Sequence, residues 1–145
     1  MMDRLQYRVR QTDWRAESEL PTRVRRAVFI EEQGVPETLE WDEWDERSVH
    51  VIAQTLDGEP IGTGRLLPDA SIGRMAVLAS CRGQGVGSAL LACLLGVARA
   101  RGEQLVRLSA QTHAMPFYAR FGFEPEGLEY LEAGIPHRLM WLRLR

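Results

Sequence analysis

Apolar and polar residues alternate in several segments of the first half of the chain with the two-residue period of a half-buried β-strand. The alternation is interrupted at Asp57-Gly58 and at Pro68-Asp69, which favour chain reversals between neighbouring strands. The pattern therefore predicts an antiparallel meander preceded by one further strand. These strands cover residues 5–10, 48–56, 59–67 and 71–77.

Helical periodicity fills two longer segments. Asp13 is a suitable N-cap for a helix that runs to about Gln33, where Gly34 ends it, and Pro21 predicts a break inside it. A second helix ends at Gly102, and its broad apolar stripe predicts that it lies buried on the sheet. The stripe contains Val86, Leu90, Leu91, Cys93, Leu94, Leu95 and Val97.

The last third of the chain predicts a short helix over residues 115–121 and a central strand over residues 105–109. Closing strands follow at 123–126 and 137–144, and the residues between them, up to Gly134, predict a surface connection. The expected fold class is therefore α/β with a mixed sheet, in which an antiparallel meander is followed by a β-α-β unit with a parallel pair.

Composition limits what this fold can be. The chain has 145 residues, of which 45% are hydrophobic, so we expect one domain over 1–145 that buries about 68% of its unfolded surface. A net charge of −2 offers no basic field for nucleic acid. No apolar run is long enough to cross a membrane, and the first residues lack the apolar core of a signal peptide, so a cytoplasmic protein is expected.

The two cysteines are predicted to be reduced thiols. Cys81 precedes the second helix and Cys93 lies well inside it, which separates them by about 12 Å at 1.5 Å per helical residue. Cys81 has no base near it in sequence, so we expect it to be structural rather than nucleophilic. The chain predicts no metal site.

A glycine-rich segment carries the clearest chemical signal. Gly83, Gly85 and Gly87 stand at alternate positions between a strand and a helix. Glycines let the backbone turn with its N–H groups pointing into one hollow, and the helix adds its unpaired first-turn donors and its positive dipole end. Arg82 adds a bidentate donor at the rim, which makes a diphosphate a better match than a lone carboxylate.

Spacing separates three classes of phosphate site. A P-loop needs a lysine after its last glycine, and this chain contains none. A dinucleotide fold needs a third glycine where Ser88 stands, and an acid at the end of the next strand, whereas Glu103 precedes that strand. The remaining pattern is Arg/Gln-x-x-Gly-x-Gly/Ala, which Arg82, Gly85 and Gly87 meet.

With this pattern the chain resembles the GCN5-related N-acetyltransferase (GNAT) family. The resemblance continues at residues 111–123, where Gln-x-x-Ala-x-x-Phe-Tyr-x-x-Phe-Gly-Phe is similar to the family's second signature, with Gln111 in place of the usual Asn. Residues 25–36, Arg-Arg-Ala-Val-Phe-Ile-Glu-Glu-Gln-Gly-Val-Pro, are similar to the ElaA-like subgroup. The similarity therefore spans nearly the whole chain.

The resemblance implies a GNAT-like acyl-CoA N-acyltransferase fold in which the strand ending near Val77 splays from the strand at 105–109. The pantetheine arm of acetyl-CoA lies in that gap, the Val77 N–H stabilises the oxyanion, and Tyr118 protonates the departing thiolate. The cofactor-binding residues that the resemblance implies are Met75, Ala76, Val77, Arg82, Gly83, Gln84, Gly85, Val86, Gly87, Ser88, Gln111, Phe117 and Tyr118.

An amine acceptor needs a proton acceptor, because an alkyl amine is about one part in 2,500 neutral at pH 7, which costs about 4.6 kcal/mol. Glu32 and His113 are the residues that we predict for this role, directly or through water. His50 and His137 are further candidates, although the alternation around His50 also fits a core histidine.

Residues 37–46 contain six acids, interleaved with Trp41 and Trp44. The segment fits either a cation-recognising lip or a solvated loop that two indoles anchor. Arg65 and Arg74 flank the expected splay, where each fits either an anionic group of a ligand or a structural ion pair.

The predicted function is N-acetyltransferase activity, in which an acetyl group moves from acetyl-CoA to a primary amine of a small molecule or peptide by direct attack. The alternative is a non-catalytic acyl-CoA-binding sensor or regulatory module, because the phosphate hollow would be identical in both. A homodimer is a further expectation, through exposed positions on the closing strand that include Trp141. Neither nucleic acid nor a membrane is an expected partner.

Overall fold

The computed structural model describes residues 4–145, and seven strands form one sheet in the order β1-β2-β3-β4-β5-β7-β6. Neighbouring strands are antiparallel except β4 and β5, which are parallel. The predicted mixed sheet is therefore confirmed. The strands are β1 (Tyr7–Thr12), β2 (Val49–Thr55), β3 (Pro60–Leu66), β4 (Ser71–Val77), β5 (Leu105–Gln111), β6 (Glu124–Glu132) and β7 (Ile135–Arg143).

Helices cover both faces of this sheet. A π-helical segment, Arg26–Glu32, continues directly from the second α-helix, and short 3₁₀ turns occupy Asp45–Arg47, Ala79–Cys81 and Thr112–Ala114. The α-helices are α1 (Trp14–Glu17), α2 (Glu19–Arg25), α3 (Glu37–Glu40), α4 (Val86–Ala100) and α5 (Met115–Arg120).

The first predicted helix is interrupted, but not where Pro21 predicted. Asp13 caps α1 by accepting from the Arg15 N–H at 3.2 Å, as predicted, and the interruption comes at Ser18. Pro21 then lies in the first turn of α2, where a missing N–H removes no helical hydrogen bond. Gly34, at φ +72°, follows the end of the π-helical segment, as predicted.

Two cores hold the layers together. On one face α4 buries its leucines against the sheet, as its stripe predicted. Glycines in β3 permit this close approach, since a Cβ at Gly62 would lie 2.8 Å from the Leu90 Cδ1. On the other face α2 and the π-helical segment bury Val24 and Val28 with Ile52 of β2. The helices therefore pack on opposite faces of the central strands of the sheet.

The closing strand predicted at 123–126 is present but continues to Glu132, so the surface connection predicted up to Gly134 was wrong and is mostly strand β6. This segment is rich in Glu and carries Pro125 and Gly127, which favour loops in isolation. It forms a strand because its backbone pairs with β7. As an edge strand it is mostly exposed, so its glutamates remain in solvent. A shift of register between Glu126 and Tyr130 accommodates Gly127, at φ +77°.

The closing strand β7 has neighbours on both sides, β5 and β6. Its backbone is therefore paired along both edges, and β6 is the edge strand beside it. The homodimer expected through exposed positions around Trp141 stays a prediction. Cys81 is buried and Cys93 half-buried, and both are free thiols, as predicted. Among residues 4–145 no helix is both long and apolar enough to span a bilayer.

Candidate active site

The parallel strands β4 and β5 separate soon after they meet. They pair only at Ser71 with Arg107 and at Ile72 with Leu108, although β5 continues to Gln111 and β4 to Val77. The predicted splay is therefore present. The gap opens into a cleft of about 1230 Å³.

A β-bulge in β4 stands where the strands begin to part. In the register with β3, Arg65 faces Gly73 and Thr63 faces Ala76, so that Gly64 alone opposes Arg74 and Met75. Arg74 adopts φ +50°, a left-handed conformation that a residue with a Cβ rarely takes. The bulge turns the rest of β4 away from β5.

The Val77 N–H points into the gap. The next residue, Leu78, donates its N–H to the Ile61 carbonyl of β3 at 2.9 Å. Backbone amides of an antiparallel strand alternate in direction, so the Val77 N–H faces away from β3, while that of Ala76 faces β3. Of these two amides, the Val77 N–H is therefore the one that is available to a ligand in the gap. Ala76 contributes to the lining of the cleft.

The glycine-rich loop adjoins this gap. Gly83 and Gly85 have φ of +77° and +85°, and Gly85 immediately precedes α4. No side chain caps that helix, which leaves its first-turn N–H groups free for an anion. Gly87 lies close to the Phe117 ring, which a Cβ would meet at 3.5 Å. The loop therefore has the backbone turn that its spacing predicted, and its binding of an anion stays a prediction.

The cleft brings together most of the predicted site residues. Gly83, Gln84, Gly85, Val86 and Ser88 belong to the adjoining loop and first helical turn rather than to the cleft wall. The predicted residues that line the cleft are Glu32, Met75, Ala76, Val77, Arg82, Gly87, Gln111, His113, Phe117 and Tyr118.

Arg82 is held by the protein itself. Its Nε donates to the Val77 carbonyl at 2.9 Å, and its two terminal nitrogens donate to the two carboxylate oxygens of Glu32 at 2.7 Å each. This bidentate partner lowers the pKa of Glu32. A phosphate group that binds Arg82 must therefore compete with Glu32, and Glu32 is a weak base while Arg82 holds it.

We predict that Glu32→Gln tightens binding of coenzyme A by up to about fivefold. Both side chains are about 40% exposed (43% and 40%), and such ion pairs contribute roughly 0.2–1 kcal/mol, which is the competition that the substitution removes. Titration calorimetry with coenzyme A measures the effect. Glu31→Gln makes the same charge change one residue away and should leave the affinity unchanged; equal affinities for all three proteins would contradict the competition.

Tyr118 lies at the base of the cleft between two other aromatic rings. Phe117 and Phe123 pack edge-on against it with ring centroids at 5.1 and 5.8 Å. Burial raises its pKa to about 12. The hydroxyl is therefore protonated at all physiological pH values and has a hydrogen to donate.

Three polar side chains form a chain beside the gap. Gln111 and Gln33 exchange amide hydrogen bonds of 2.8 and 3.2 Å, and the His113 Nε2 lies 2.6 Å from the Gln111 Oε1. Because that oxygen accepts, the His113 Nε2 carries the hydrogen and only its Nδ1 can take a proton. The longer side chain of Gln111, compared with Asn, reaches Gln33 on the π-helical segment.

The two other candidate histidines differ in position. His50 lies outside the cleft lining, stacked on Trp14 with centroids 4.6 Å apart and with its Nε2 2.8 Å from the Asp45 carbonyl oxygen. Burial lowers its pKa, so it is a neutral core histidine. His137 is also buried, but it lines the cleft.

The acidic segment 37–46 is neither a lip for a foreign cation nor a solvated loop. Three of its carboxylates turn inward and form ion pairs with arginines of α2, β3 and β4, and Trp41 stacks on Arg25 at 4.9 Å. The acids therefore recognise the chain's own cations, and Arg65 and Arg74 are structural. The network joins Arg25, Arg65 and Arg74 to Glu40, Asp42 and Asp45.

Sequence reasoning missed two walls of the cleft. The π-helical segment contributes Val28 and Phe29, and the β6–β7 hairpin contributes Glu132, Ile135 and Leu139. The alternation of Ile135, His137 and Leu139 places them on one face and was a usable signal. This alternation was not used because the strand was predicted to begin at His137, which left Ile135 outside it.

Comparison with known proteins agrees with this geometry. A family model described as "Acetyltransferase (GNAT) domain" matches residues 14–144. The uncharacterized N-acetyltransferase YjcF of Bacillus subtilis is 40% identical over 122 residues, which cover 81% of this chain and 86% of that protein.

Solved structures give the same result. Escherichia coli ElaA is 28% identical with a TM-score of 0.82, and covers 93% of this chain and 98% of its own. An acyl-CoA N-acyltransferase from Pseudomonas aeruginosa is 31% identical with a TM-score of 0.80, and covers 94% and 98% respectively.

Proposed function

This chain belongs to the GNAT acetyltransferase family, and from that premise we propose that it transfers an acetyl group from acetyl-CoA to a primary amine by direct attack. The observation that carries the proposal is the meeting, at one cleft, of the Val77 amide, the glycine-rich loop and Tyr118. A donor for phosphates, a donor for a carbonyl oxygen and a donor for a leaving group are the parts that thioester aminolysis needs.

The glycine-rich loop and the first turn of α4 would bind the diphosphate of the coenzyme through backbone N–H groups. Arg82 adds its guanidinium once Glu32 is displaced. The Val77 N–H would then stabilise the oxyanion that forms on the acetyl carbonyl. One such donor typically contributes about 2.7–4 kcal/mol to transition-state stabilisation.

Tyr118 would donate its hydrogen to the departing sulfur. With a pKa of about 12 against roughly 8.5 for a thiol, complete transfer from Tyr118 would be uphill by about 4.8 kcal/mol. A hydrogen bond that shares the proton avoids that cost, and re-protonation from the acceptor nitrogen completes the exchange. The contribution of Tyr118 is therefore moderate.

We predict that Tyr118→Phe lowers kcat by ten- to a thousandfold and leaves the Kd of coenzyme A unchanged. Because the pKa of about 12 keeps the hydroxyl protonated, kcat of the wild type should not fall between pH 8 and 10. Thiol-release assays measure kcat of both proteins across that pH range, and titration calorimetry measures the Kd of coenzyme A. Wild-type turnover in the variant would remove Tyr118 from the mechanism.

Glu32 and His113, the residues predicted as proton acceptors for the amine, are candidates beside His137, which also lines the cleft. Each has a constraint in the cleft: Arg82 holds the Glu32 carboxylate, and the His113 Nε2 donates to Gln111. Either would act after a rearrangement or through water. The cytoplasmic location and a homodimer also stay proposals.

The test of the function is free-thiol release from acetyl-CoA with a panel of polyamines, amino sugars, amino acids, simple alkyl amines and peptides. Release that depends on an acceptor supports the transferase. Tight binding of acetyl-CoA without release from any acceptor would overturn it in favour of the sensor. No binding at all would remove both.

A further inference from the structure

His137 has one ring nitrogen committed and the other directed at a carboxylate. Its Nδ1 lies 2.7 Å from the Ile135 carbonyl oxygen, which can only accept a hydrogen bond, so Nδ1 carries the hydrogen. Its Nε2 lies 3.4 Å from a carboxylate oxygen of Glu132. In the neutral ring, Nε2 and the carboxylate are both acceptors, so a positively charged donor that bridges the two from the cleft side would satisfy both.

Both groups face the cleft from the β6–β7 hairpin. His137 is buried, with 8% of its side chain exposed, whereas Glu132 is 55% exposed and open to a ligand. In the sheet His137 stands directly opposite Gln111, at the end of β5 where the splay is widest. The pair therefore lies at the mouth of the gap in which the acetyl group is proposed to sit.

We propose that the ammonium group of the acceptor bridges the Glu132 carboxylate and the His137 Nε2 from the cleft, donating to both, and that His137 takes its proton. This assignment rests on the proposed transferase function. It identifies a base that needs no rearrangement, since Nε2 is already the free nitrogen and Ile135 already holds the tautomer that exposes it.

The protons balance as follows in the transfer. The ammonium gives one proton to the His137 Nε2, and the neutral nitrogen attacks the acetyl carbon as the carbon–sulfur bond breaks. The attacking nitrogen then loses a second proton. The departing sulfur takes the proton of Tyr118, and the second proton from the nitrogen re-protonates Tyr118. The first proton passes from His137 to solvent. The Glu132 carboxylate holds the ammonium until it gives its proton to His137.

The surroundings of the pair assign the class of amine. Ile135 and Leu139 flank His137 on the same face of β7, and Leu39 of α3 also lines the cleft. Leu39 and Leu139 are 56% and 45% exposed, an arrangement that an apolar ligand would cover. The acceptor is therefore a primary amine with an alkyl or aryl substituent rather than a polyhydroxylated one.

Two amines of different basicity test the role of His137. We expect His137→Gln to lower kcat for 2-phenylethylamine at least a hundredfold, because general base catalysis typically contributes 10²–10⁴. For 2,2,2-trifluoroethylamine, which is largely neutral at the assay pH, we expect a loss below tenfold. A purely structural role would lower both equally, and equal losses would overturn the assignment.

Glu132→Gln tests the ammonium site with an exposed residue whose replacement should not disturb folding. We expect its KM for 2-phenylethylamine to rise about tenfold, while the Kd of coenzyme A stays unchanged. Glu129→Gln, an exposed glutamate of the same strand outside the cleft lining, should behave as wild type. An unchanged KM in the Glu132 variant would overturn the site.

The substituent is tested in the wild type. We expect kcat/KM for 2-phenylethylamine to exceed that for ethanolamine at least tenfold, and equal values would overturn the assigned class. A wild type that is silent with every amine would overturn the transferase proposal and this assignment with it. An active wild type with unaffected variants would overturn the assignment alone.

Discussion

Gly85→Asp is expected to weaken coenzyme A binding by more than a hundredfold while the protein stays folded. The substitution places a carboxylate at the start of α4, among the N–H groups that would bind the diphosphate. A like charge at about 5 Å repels a phosphate by about 3 kcal/mol at an effective dielectric of about 20. The aspartate can also accept the first-turn N–H groups itself and so occupy the hollow.

The left-handed backbone of Gly85 requires a matched control. A side chain at φ +85° costs roughly 1–2 kcal/mol, but space is open, since the nearest atom to a Cβ is the Tyr7 hydroxyl at 3.5 Å. Gly102 has φ +84° at the opposite end of α4 and no atom within 4 Å of a Cβ. Gly102→Asp therefore reproduces the strain without the charge at the hollow.

Calorimetry with coenzyme A and a thermal melt measure the two effects separately. We expect both aspartate variants to melt within a few degrees of each other, and only Gly85→Asp to lose binding. Gly85→Ala, which adds strain without charge, should be intermediate in affinity. Unchanged affinity in Gly85→Asp would mean that the coenzyme binds elsewhere.

Arg25→Met is expected to destabilise the protein by about 3 kcal/mol, the lower end of the cost of breaking a buried ion pair, because Glu40 and Asp45 keep Arg74 and Arg65 as partners. Arg25 is fully buried, and its guanidinium donates to the Glu40 carboxylate at 2.9 Å and to the Asp45 carboxylate at 2.7 Å. Burial already raises the pKa of Glu40, so the loss of Arg25 leaves a carboxylate that the site solvates poorly.

The neighbouring Arg26 supplies the control. It pairs with Glu37 at 2.7 Å, but both side chains are exposed, 42% and 56%, so Arg26→Met should cost at most about 1 kcal/mol. Urea titration gives the free energies, and the melting temperature of Arg25→Met should fall by about 10 °C. Equal stabilities of the two variants would show that the network contributes no more than a surface ion pair.

Local pattern was sufficient wherever a segment's surroundings follow from its own residues. β4 has the predicted bounds, and α4 is buried as its leucine stripe predicted, because these elements bury a regular apolar face. The alternate glycines before α4 need the positive φ that the structure gives Gly83 and Gly85. The helix that precedes residue 34 was correct in extent but not in its interruption.

Prediction was wrong where a residue's partner comes from elsewhere in the chain. The acids of residues 37–46 look like a solvent-facing or cation-binding segment, and only the fold brings Arg25, Arg65 and Arg74 to them. Likewise β6 is a strand because β7 lies beside it, and no property of its own residues required that.

Residue order by itself determined the mixed sheet, the glycine turn before α4 and the family, since short-range periodicity and motif spacing encode backbone direction. Only the tertiary structure decided that Arg82 forms an ion pair with Glu32 and that three acids of residues 37–46 pair with buried arginines. It also decided that Glu132 lies next to His137 at the cleft. The physical reason is that charge and hydrogen-bond partners are chosen by distance in space, which a chain's sequence separation does not measure.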